Sequence, residues 1–375
     1  MRIKSSMEVN VSTLSQNYQL LKEICPNNET LFMVKANAYG HGLVPVVKFA
    51  YYELGIKEFG CASIGEALRL REEIPNGEFE VYVFSDVNLD LQEAADIYLN
   101  NRIIPVISNE TNLEFFLSHE EFRYFPLCLK FNTGMNRLGI KMDRIDYAIQ
   151  TIKKHGRSSI YHLMTHFSSS SLSMQKNKRN LTQKENWKEL KSQINSSGIE
   201  IHKSSIANSG AIEQKVGLEE SHVRAGLMMY GPSSLLPQYN KLSCWKGKLI
   251  SKLETTFIDS FQVDRGTPIG YGATPCPSAG TVGVFALGYG DGFSTRYQNV
   301  HLNHGEHEGQ IVGRVNMDMA QILFPNTNLT IKNGERFVVW DQNGQNFSNI
   351  CVESKTIPYE VFIHLTERIP KIYRQ

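Results

Sequence analysis

The sequence predicts an eight-stranded parallel β/α barrel of the TIM type followed by an all-β domain. Three observations lead there. Over the first two thirds of the chain, eight short apolar runs alternate with amphipathic stretches. After Gly231-Pro232 the pattern changes to alternating β-branched and aromatic residues broken by Gly and Asn turns. The chain has 375 residues, enough for two domains of ordinary size.

The eight runs predict strands at 31–34, 59–62, 81–84, 103–107, 127–131, 160–165, 201–206 and 222–224. Helices are expected between them at 43–54, 64–73, 89–99, 112–122, 144–154 and 182–196. In GEALRLREE, Ala67, Leu68 and Leu70 sit among charges, and Trp187, Leu190 and Ile194 recur at helical spacing. The barrel is assigned to residues 1–240. A linker is expected at 233–243, where Pro237 and Asn240 lie among polar residues. The β-domain, 241–375, contains LISKLETTFIDSF, TVGVFALGYGDGF, GQIVGRVNMDMAQILF and ERFVVWD.

Composition removes several function classes. Hydrophobic residues at 41% and charged ones at 21% describe a globular chain, not a disordered one. Net charge is +1, from 39 basic and 38 acidic residues, so no nucleic-acid partner is expected. No run approaches the ~18 apolar residues of a membrane span, so no membrane is expected either. The opening MRIKSSMEVN has no apolar core after its basic residues, and the six cysteines form no CxxC pair. Both point to a cytoplasmic protein with reduced thiols.

Barrels carry their chemistry where strands end and loops begin. Lys35 directly follows LFMV. Lys130 lies in LCLKF, with Gly134-Met135-Asn136-Arg137 just beyond. His166 ends YHLMTH, Asn208-Ser209-Gly210 follows HKSSIA, and Arg224-Ala225-Gly226 closes the eighth run. These groups are expected on one rim. A lysine at the end of an apolar strand is partly desolvated, which lowers its pKa and frees its amine for covalent work. The alternative is a lysine that merely snorkels to solvent. The small residues of VKANAYGHG leave room for a cofactor beside the backbone. Ser209 and the Gly226-Leu227 backbone offer a hydroxyl and N–H groups to a phosphate, and Asn208-Ser209 also suits a helix N-cap. His301, His304 and His307 in HLNHGEHEG have a spacing that invites a metal. The Asn-His-Gly turn reads as a hairpin that sends the rings apart, and no metal is expected.

VKANAYGHG resembles the cofactor-attachment motif of bacterial alanine racemases, the fold-type III enzymes that use pyridoxal 5′-phosphate. KFNTGMNRLGI, THFSSS, IANSGAI, VRAGLMMYG, IGYGATP, ALGYGDG, GRVNMDM and TIPYEV resemble further motifs of that family, in its order, over nearly the whole chain. The resemblance implies a homodimeric racemase that interconverts L-alanine and D-alanine with two bases and supplies D-alanine for peptidoglycan.

It also implies roles. Lys35 holds the cofactor and serves one face of the substrate, and Tyr271, from the second subunit, serves the other. Arg224 faces the pyridine nitrogen. Tyr39, Ser209, Gly226, Leu227 and Tyr359 contact the phosphate. Arg137 lies near the cofactor phenolate and the substrate carboxylate, which the partner's Met317 also receives. His166 orients Tyr271 and Arg224, and Asp318 and Tyr289 support the site. Lys130 occupies the position of a lysine that is carbamylated in many members and holds Arg137. A tyrosine with its ordinary pKa near 10 is a poor base, so cations must help it ionise. The sequence departs from the family at Asn136, where glycine is common. Two other readings remain open at this level: a racemase of wider specificity acting on serine or basic amino acids, and a barrel that binds the cofactor without catalysis.

Overall fold

The apolar runs do form strands, and the computed structural model describes them within residues 4–89, 94–326 and 329–375. The first three residues of MRIKSSMEVN, and residues 90–93 of the helix expected at 89–99, lie outside that description. The chain opens with β1 (Ser6–Asn10) and a helix at Val11–Ile24, capped by the Asn10 side chain, which accepts from the Thr13 N–H at 2.8 Å. Then come β2 (Glu29–Met33), β3 (Glu58–Cys61), β4 (Glu80–Val83), β5 (Ile103–Ile107) and β6 (Cys128–Asn132). A short β7 (Ile140–Lys141) pairs with β6 and precedes β8 (Ser159–Met164), β9 (Glu200–Ser205) and β10 (His222–Ala225).

All eight expected barrel strands are present within one or two residues. They lie parallel in the order β10-β2-β3-β4-β5-β6-β8-β9. Helices at Leu43–Tyr52, Ile64–Glu73, Ala94–Asn100, Glu110–Ser118, Ile145–Lys154 and Lys178–Ser196 return the chain between strands. Ser63 and Asn109 cap two of them by accepting backbone N–H groups at 3.3 and 2.7 Å. The ring is nearly closed. Ladder pairing joins β10 to β2, from His222↔Glu29 to Ala225↔Phe32. Between β9 and β10 the described pairing reduces to a single bridge, Asn208↔Arg224.

The second domain is built on β11 (Ser251–Val263). It continues through the short hairpin β12 (Pro268–Ile269) and β13 (Thr274–Pro275), then β14 (Gly280–Phe285). Next come β15 (His301–His304), β16 (His307–Val312), β17 (Ala320–Pro325), β18 (Arg336–Trp340) and β19 (Lys371–Arg374). The rings of Phe257 and Phe285 each pack on Phe337, with centroids 5.2 and 5.1 Å apart. The expected hairpin around Gly305 is β15–β16, with His304 opposite His307. His301 pairs with Glu353 and His304 with Glu335, each at 2.9 Å, so the two rings serve different partners.

One assignment changes. The sequence reading placed residues 1–240 in the barrel, but β1 pairs antiparallel with β11 and parallel with β19. Met7 and Val9 are buried there. The alternation in SMEVN marks a strand, but its partners lie more than two hundred residues away and local pattern does not name them. The segment expected as a linker is held down. Buried Glu213 accepts from the Ser233 and Ser243 hydroxyls at 2.5 and 2.8 Å and from the Ser234 N–H at 2.7 Å. Among the described residues no helix is long and apolar enough to cross a membrane.

Phe257 is fully buried at the centre of the aromatic cluster. Phe257→Ala is expected to destabilise the protein by about 3–5 kcal/mol, read from urea unfolding.

Candidate active site

The carboxyl ends of the barrel strands enclose a cavity of about 340 Å³. Lys35, Tyr39, Lys130, Arg137, His166, Ser209, Arg224, Gly226, Leu227 and Tyr359 all line it. The rim expected from strand ends is therefore real. Four cationic side chains face the space, and among the described residues no carboxylate lines it.

Lys35 starts a helical turn, Lys35–Tyr39, of unusual hand. Ala36, Asn37, Ala38 and Tyr39 have φ of 53°, 56°, 53° and 51°. A left-handed turn costs L-residues about 1–2 kcal/mol each, so the surroundings must hold it. The N–H of Ala38 donates to the Val34 carbonyl at 2.7 Å, and that of Gly40 to Ala36 at 2.9 Å. The Asn37 N–H donates to Glu66 Oε1 at 3.0 Å, while Asn37 Oδ1 accepts from the Leu43 N–H at 2.8 Å. Gly40, at φ 81°, ends the turn, and a Cβ there would sit 2.4 Å from the Phe362 carbonyl oxygen. Lys35 and Tyr39, four residues apart, thereby both reach the cavity. Burial, then the nearby Arg137 cation, pulls the Lys35 amine below its ordinary pKa.

Arg224 is buried at the seam where the barrel fails to close. Its guanidinium reaches carbonyls at the strand ends, one of them shared with a backbone N–H. Nη1 donates to the Ser205 carbonyl at 2.9 Å and to Ser205 Oγ at 2.5 Å. Nη2 donates to the Thr165 carbonyl, to that of Ile206 at 3.4 Å and to His166 Nδ1 at 3.1 Å. Burial lowers its pKa to about 10, so it stays charged at neutral pH. Arginine only donates, so His166 Nδ1 accepts from Nη2, while the Asn208 amide nitrogen lies 3.3 Å from Nε2, so donors face both ring nitrogens. Burial and then Arg224 hold His166 well below the usual histidine range.

The far end of the cavity is rich in donors. Ser209 Oγ accepts from the N–H groups of Gly226 and Met228 at 3.1 and 3.4 Å, which leaves its own proton to donate. Asn208 caps the short helix Ser209–Ile212 by accepting the Ala211 N–H at 3.2 Å, which is the capping expected there. The Tyr39 ring stacks on Tyr230 at 4.7 Å and meets Tyr359 at 5.6 Å. A Cβ on Gly226 would lie 2.5 Å from the Tyr39 hydroxyl, so glycine there keeps that oxygen in place.

Lys130 is buried on β6, and its pKa falls to about 8, first through burial and then through Arg224, Arg137 and Lys35. Arg137 follows a tight turn in which Asn136 adopts φ 57°. The Asn136 N–H donates to Asn132 Oδ1 at 2.9 Å, and Asn132 Nδ2 returns a bond to Asn136 Oδ1 at 3.0 Å. Asparagine tolerates this left-handed position, which explains how it stands where glycine was expected.

Tyr271, Tyr289, Met317 and Asp318 do not line the cavity of their own chain. Tyr271 tops the β12–β13 hairpin and is 72% exposed. Tyr289 and Met317 are also exposed, joined through the Gly290 N–H, which donates to the Met317 carbonyl at 2.9 Å. Asp318 pairs with Arg368 at 2.6 Å, and Arg368 also meets Asp291 at 3.1 Å. Sequence reasoning did not name Met33, Phe84, Ser85, Leu138 or Thr165, which also border the space. Each flanks a strand end, but an apolar or hydroxyl residue there carries no chemical signal of its own.

Fold and site together define an enzyme whose barrel holds an anionic ligand against a lysine amine. Residues 9–234 match the model of the alanine racemase N-terminal domain, and residues 250–373 that of its C-terminal domain. The chain is 31% identical to the alanine racemase of Ligilactobacillus salivarius over 366 residues, covering 93% of this chain and 92% of that one. Its fold matches the structure of alanine racemase from Acinetobacter baumannii over the full length of both chains, at a TM-score of 0.84 and 26% identity. It also matches, at 0.87 and 23% identity, a Bartonella henselae alanine racemase with covalently bound pyridoxal phosphate, over the whole of both chains. The chain belongs to the alanine racemase family.

The Lys130 pKa sets a pH dependence of stability. An unfolded lysine keeps its proton to about pH 10.4. From about pH 8 to 10 the unfolded chain therefore binds more protons at this position than the folded one, so the contribution of Lys130 to stability rises with pH. Urea unfolding of the wild type and of Lys130→Met across that range, in buffer free of carbon dioxide, is expected to show the wild type gaining stability relative to the variant as pH rises.

Proposed function

We propose that this chain interconverts L-alanine and D-alanine with pyridoxal 5′-phosphate, as a homodimer in which each β-domain completes the partner's cavity. The observation that carries the reading is the cavity itself. Lys35, Lys130, Arg137 and Arg224 surround it with no carboxylate among the described lining residues, which suits a ligand bringing phosphate, phenolate and carboxylate groups together. The donor set fits the cofactor at both ends, with the Ser209 hydroxyl proton turned from its two backbone donors at one end and a lowered-pKa amine at Lys35 at the other.

When bound, the cofactor supplies the electron sink that lets the Cα proton leave. The remaining work belongs to the chain. Lys35 Nζ anchors the cofactor, and on one face of the substrate it takes or returns the proton. The Tyr271 hydroxyl of the second copy does the same on the opposite face; its place on an exposed hairpin tip, outside its own cavity, supports a role in trans. Ser209, the Gly226 and Leu227 backbone, Tyr39 and Tyr359 hold the phosphate. Arg137 and the backbone of Met317 take the substrate carboxylate, with Asp318 and Tyr289 nearby in support. Arg224 donates to the ring nitrogen, and since it stays charged it disfavours protonation of that nitrogen. His166 orients the tyrosine.

Lys130 is suited to carbamylation. Its amine is partly neutral near pH 8, and attack on carbon dioxide forms an N–C bond and releases one proton. The product replaces a cation with an anion able to hold Arg137. The product of the enzyme would be D-alanine for peptidoglycan. All six cysteines are free thiols, five of them buried, which supports a reducing cytoplasm.

Purified protein given pyridoxal 5′-phosphate is expected to form D-alanine from L-alanine, and to do so faster than it racemises serine, lysine or arginine. Absence of D-alanine would overturn the reading, and faster turnover of another amino acid would move it to a broader racemase. Lys35→Ala is expected to lose both the visible absorption band and activity. Tyr271→Phe should keep the band and lose about 10²–10⁴-fold in rate, chiefly from L to D. Equal, undiminished rates in both directions would remove Tyr271 from the chemistry.

A further inference from the structure

Barrel interiors are usually filled with branched aliphatic side chains. Below the cavity this one is filled with polar groups. Tyr82 on β4, His162 on β8, Ser205 on β9 and Arg224 on β10 are all buried. Burying such groups is costly unless their hydrogen bonds are complete, and here the bonds run in a line. Arg224 Nη1 reaches Ser205 Oγ at 2.5 Å. Ser205 Oγ is 3.0 Å from His162 Nε2. His162 Nδ1 is 3.5 Å from the Tyr82 hydroxyl, the longest link, and the two rings are nearly perpendicular. The Tyr82 hydroxyl reaches Glu80 Oε2 at 2.5 Å, which also takes Lys203 Nζ at 2.9 Å.

Chemistry fixes the direction of this line. Arg224 can only donate, so Ser205 Oγ accepts from it. The Ser205 proton is then free for His162, whose Nε2 must accept. Burial, with His222 and Arg224 close by, keeps that ring neutral, so its single proton sits on Nδ1 and points at the Tyr82 oxygen. The Tyr82 proton goes to Glu80, which also takes the Tyr161 hydroxyl at its other oxygen. Every bond is donated away from the cavity and toward a carboxylate at the opposite end of the barrel.

We propose that Ser205, His162 and Tyr82 are positioning residues for Arg224, a one-way chain of donors that couples its guanidinium to the Glu80 carboxylate and fixes the guanidinium plane facing the ligand. Donors arranged head to tail polarise one another, so Ser205 Oγ becomes a stronger acceptor for Nη1 than a lone serine. The chain moves no proton to the ligand, because Arg224 gives in every direction and takes from none. It sets geometry. Through Nη2 it also reaches His166 Nδ1 at 3.1 Å. The coupling to the ligand rests on the proposed function; the His162 tautomer does not.

The test is nuclear magnetic resonance of protein labelled with ¹⁵N in its histidine rings, full length, with and without added pyridoxal 5′-phosphate. Single His→Gln substitutions assign the signals. The wild type is expected to show His162 protonated on Nδ1. Tyr82→Phe removes the acceptor for Nδ1–H, so His162 should move toward the Nε2–H form, and the His166 signals should shift across Arg224. In the cofactor-loaded protein the visible absorption maximum should move, and kcat should fall about tenfold at unchanged KM. Ser205→Ala should shift His166 in the same sense and serves if Tyr82→Phe does not fold. His162 protonated on Nε2 in the wild type overturns the proposal. So does a lowered Tm in either variant with the His166 signals unmoved, which is what mere packing would give. A protein that binds no cofactor fails the functional reading, and the His162 tautomer still decides the chain of donors.

Discussion

Four cationic side chains facing one cavity, with no carboxylate lining it among the described residues, is the constraint on which this structure turns. Like charges brought out of water repel and lose hydration, and no described residue of the wall brings a negative charge to offset them. The protein answers in two ways. It lets Lys35 and Lys130 drift toward their neutral forms. It ties Arg224 to carbonyl oxygens of three residues at the strand ends. What remains is an electropositive site that a multiply anionic ligand completes, so affinity and the depressed amine pKa values have a common origin.

The imperfect closure of the barrel serves the same end. Beyond β9 the described pairing toward β10 reduces to Asn208↔Arg224, and the guanidinium takes the Ile206 carbonyl there. It shares the Ser205 carbonyl with the Thr165 N–H, which donates to the same oxygen at 3.2 Å. A gap in the ladder becomes a fixed seat for a charge. The polar line beneath it, from Ser205 to Glu80, extends that seat through the barrel interior.

The second domain also helps secure the lysine. The left-handed turn that carries Lys35 ends at Gly40, packed against the Phe362 carbonyl. The next residue, His41, has its carbonyl held by the Tyr373 hydroxyl at 3.0 Å. Its ring stacks on Tyr230 and meets Phe362 edge-on, and burial drops its pKa to about 4, so it remains a neutral packing group. Strain in a turn of four non-glycine residues is thus countered by contacts from the far end of the chain. Joining β1 to β11 and β19 adds a further bond between the barrel's entry and the C-terminal sheet.

The amino-acid sequence by itself determined the eight barrel strands and the rim residues Lys35, Lys130, His166, Ser209 and Arg224. Strand periodicity and the position of a polar residue after an apolar run are local properties, and local properties survive in one dimension. Tertiary structure decided the rest. It placed β1 in the C-terminal sheet, wound residues 36–39 left-handed without a glycine among them, and set Tyr271 outside its own cavity. It also lined up Tyr82, His162 and Ser205, which lie on three separate strands. In each case the deciding energy comes from partners distant along the chain, and no pattern of neighbouring residues records which partner a buried donor will find.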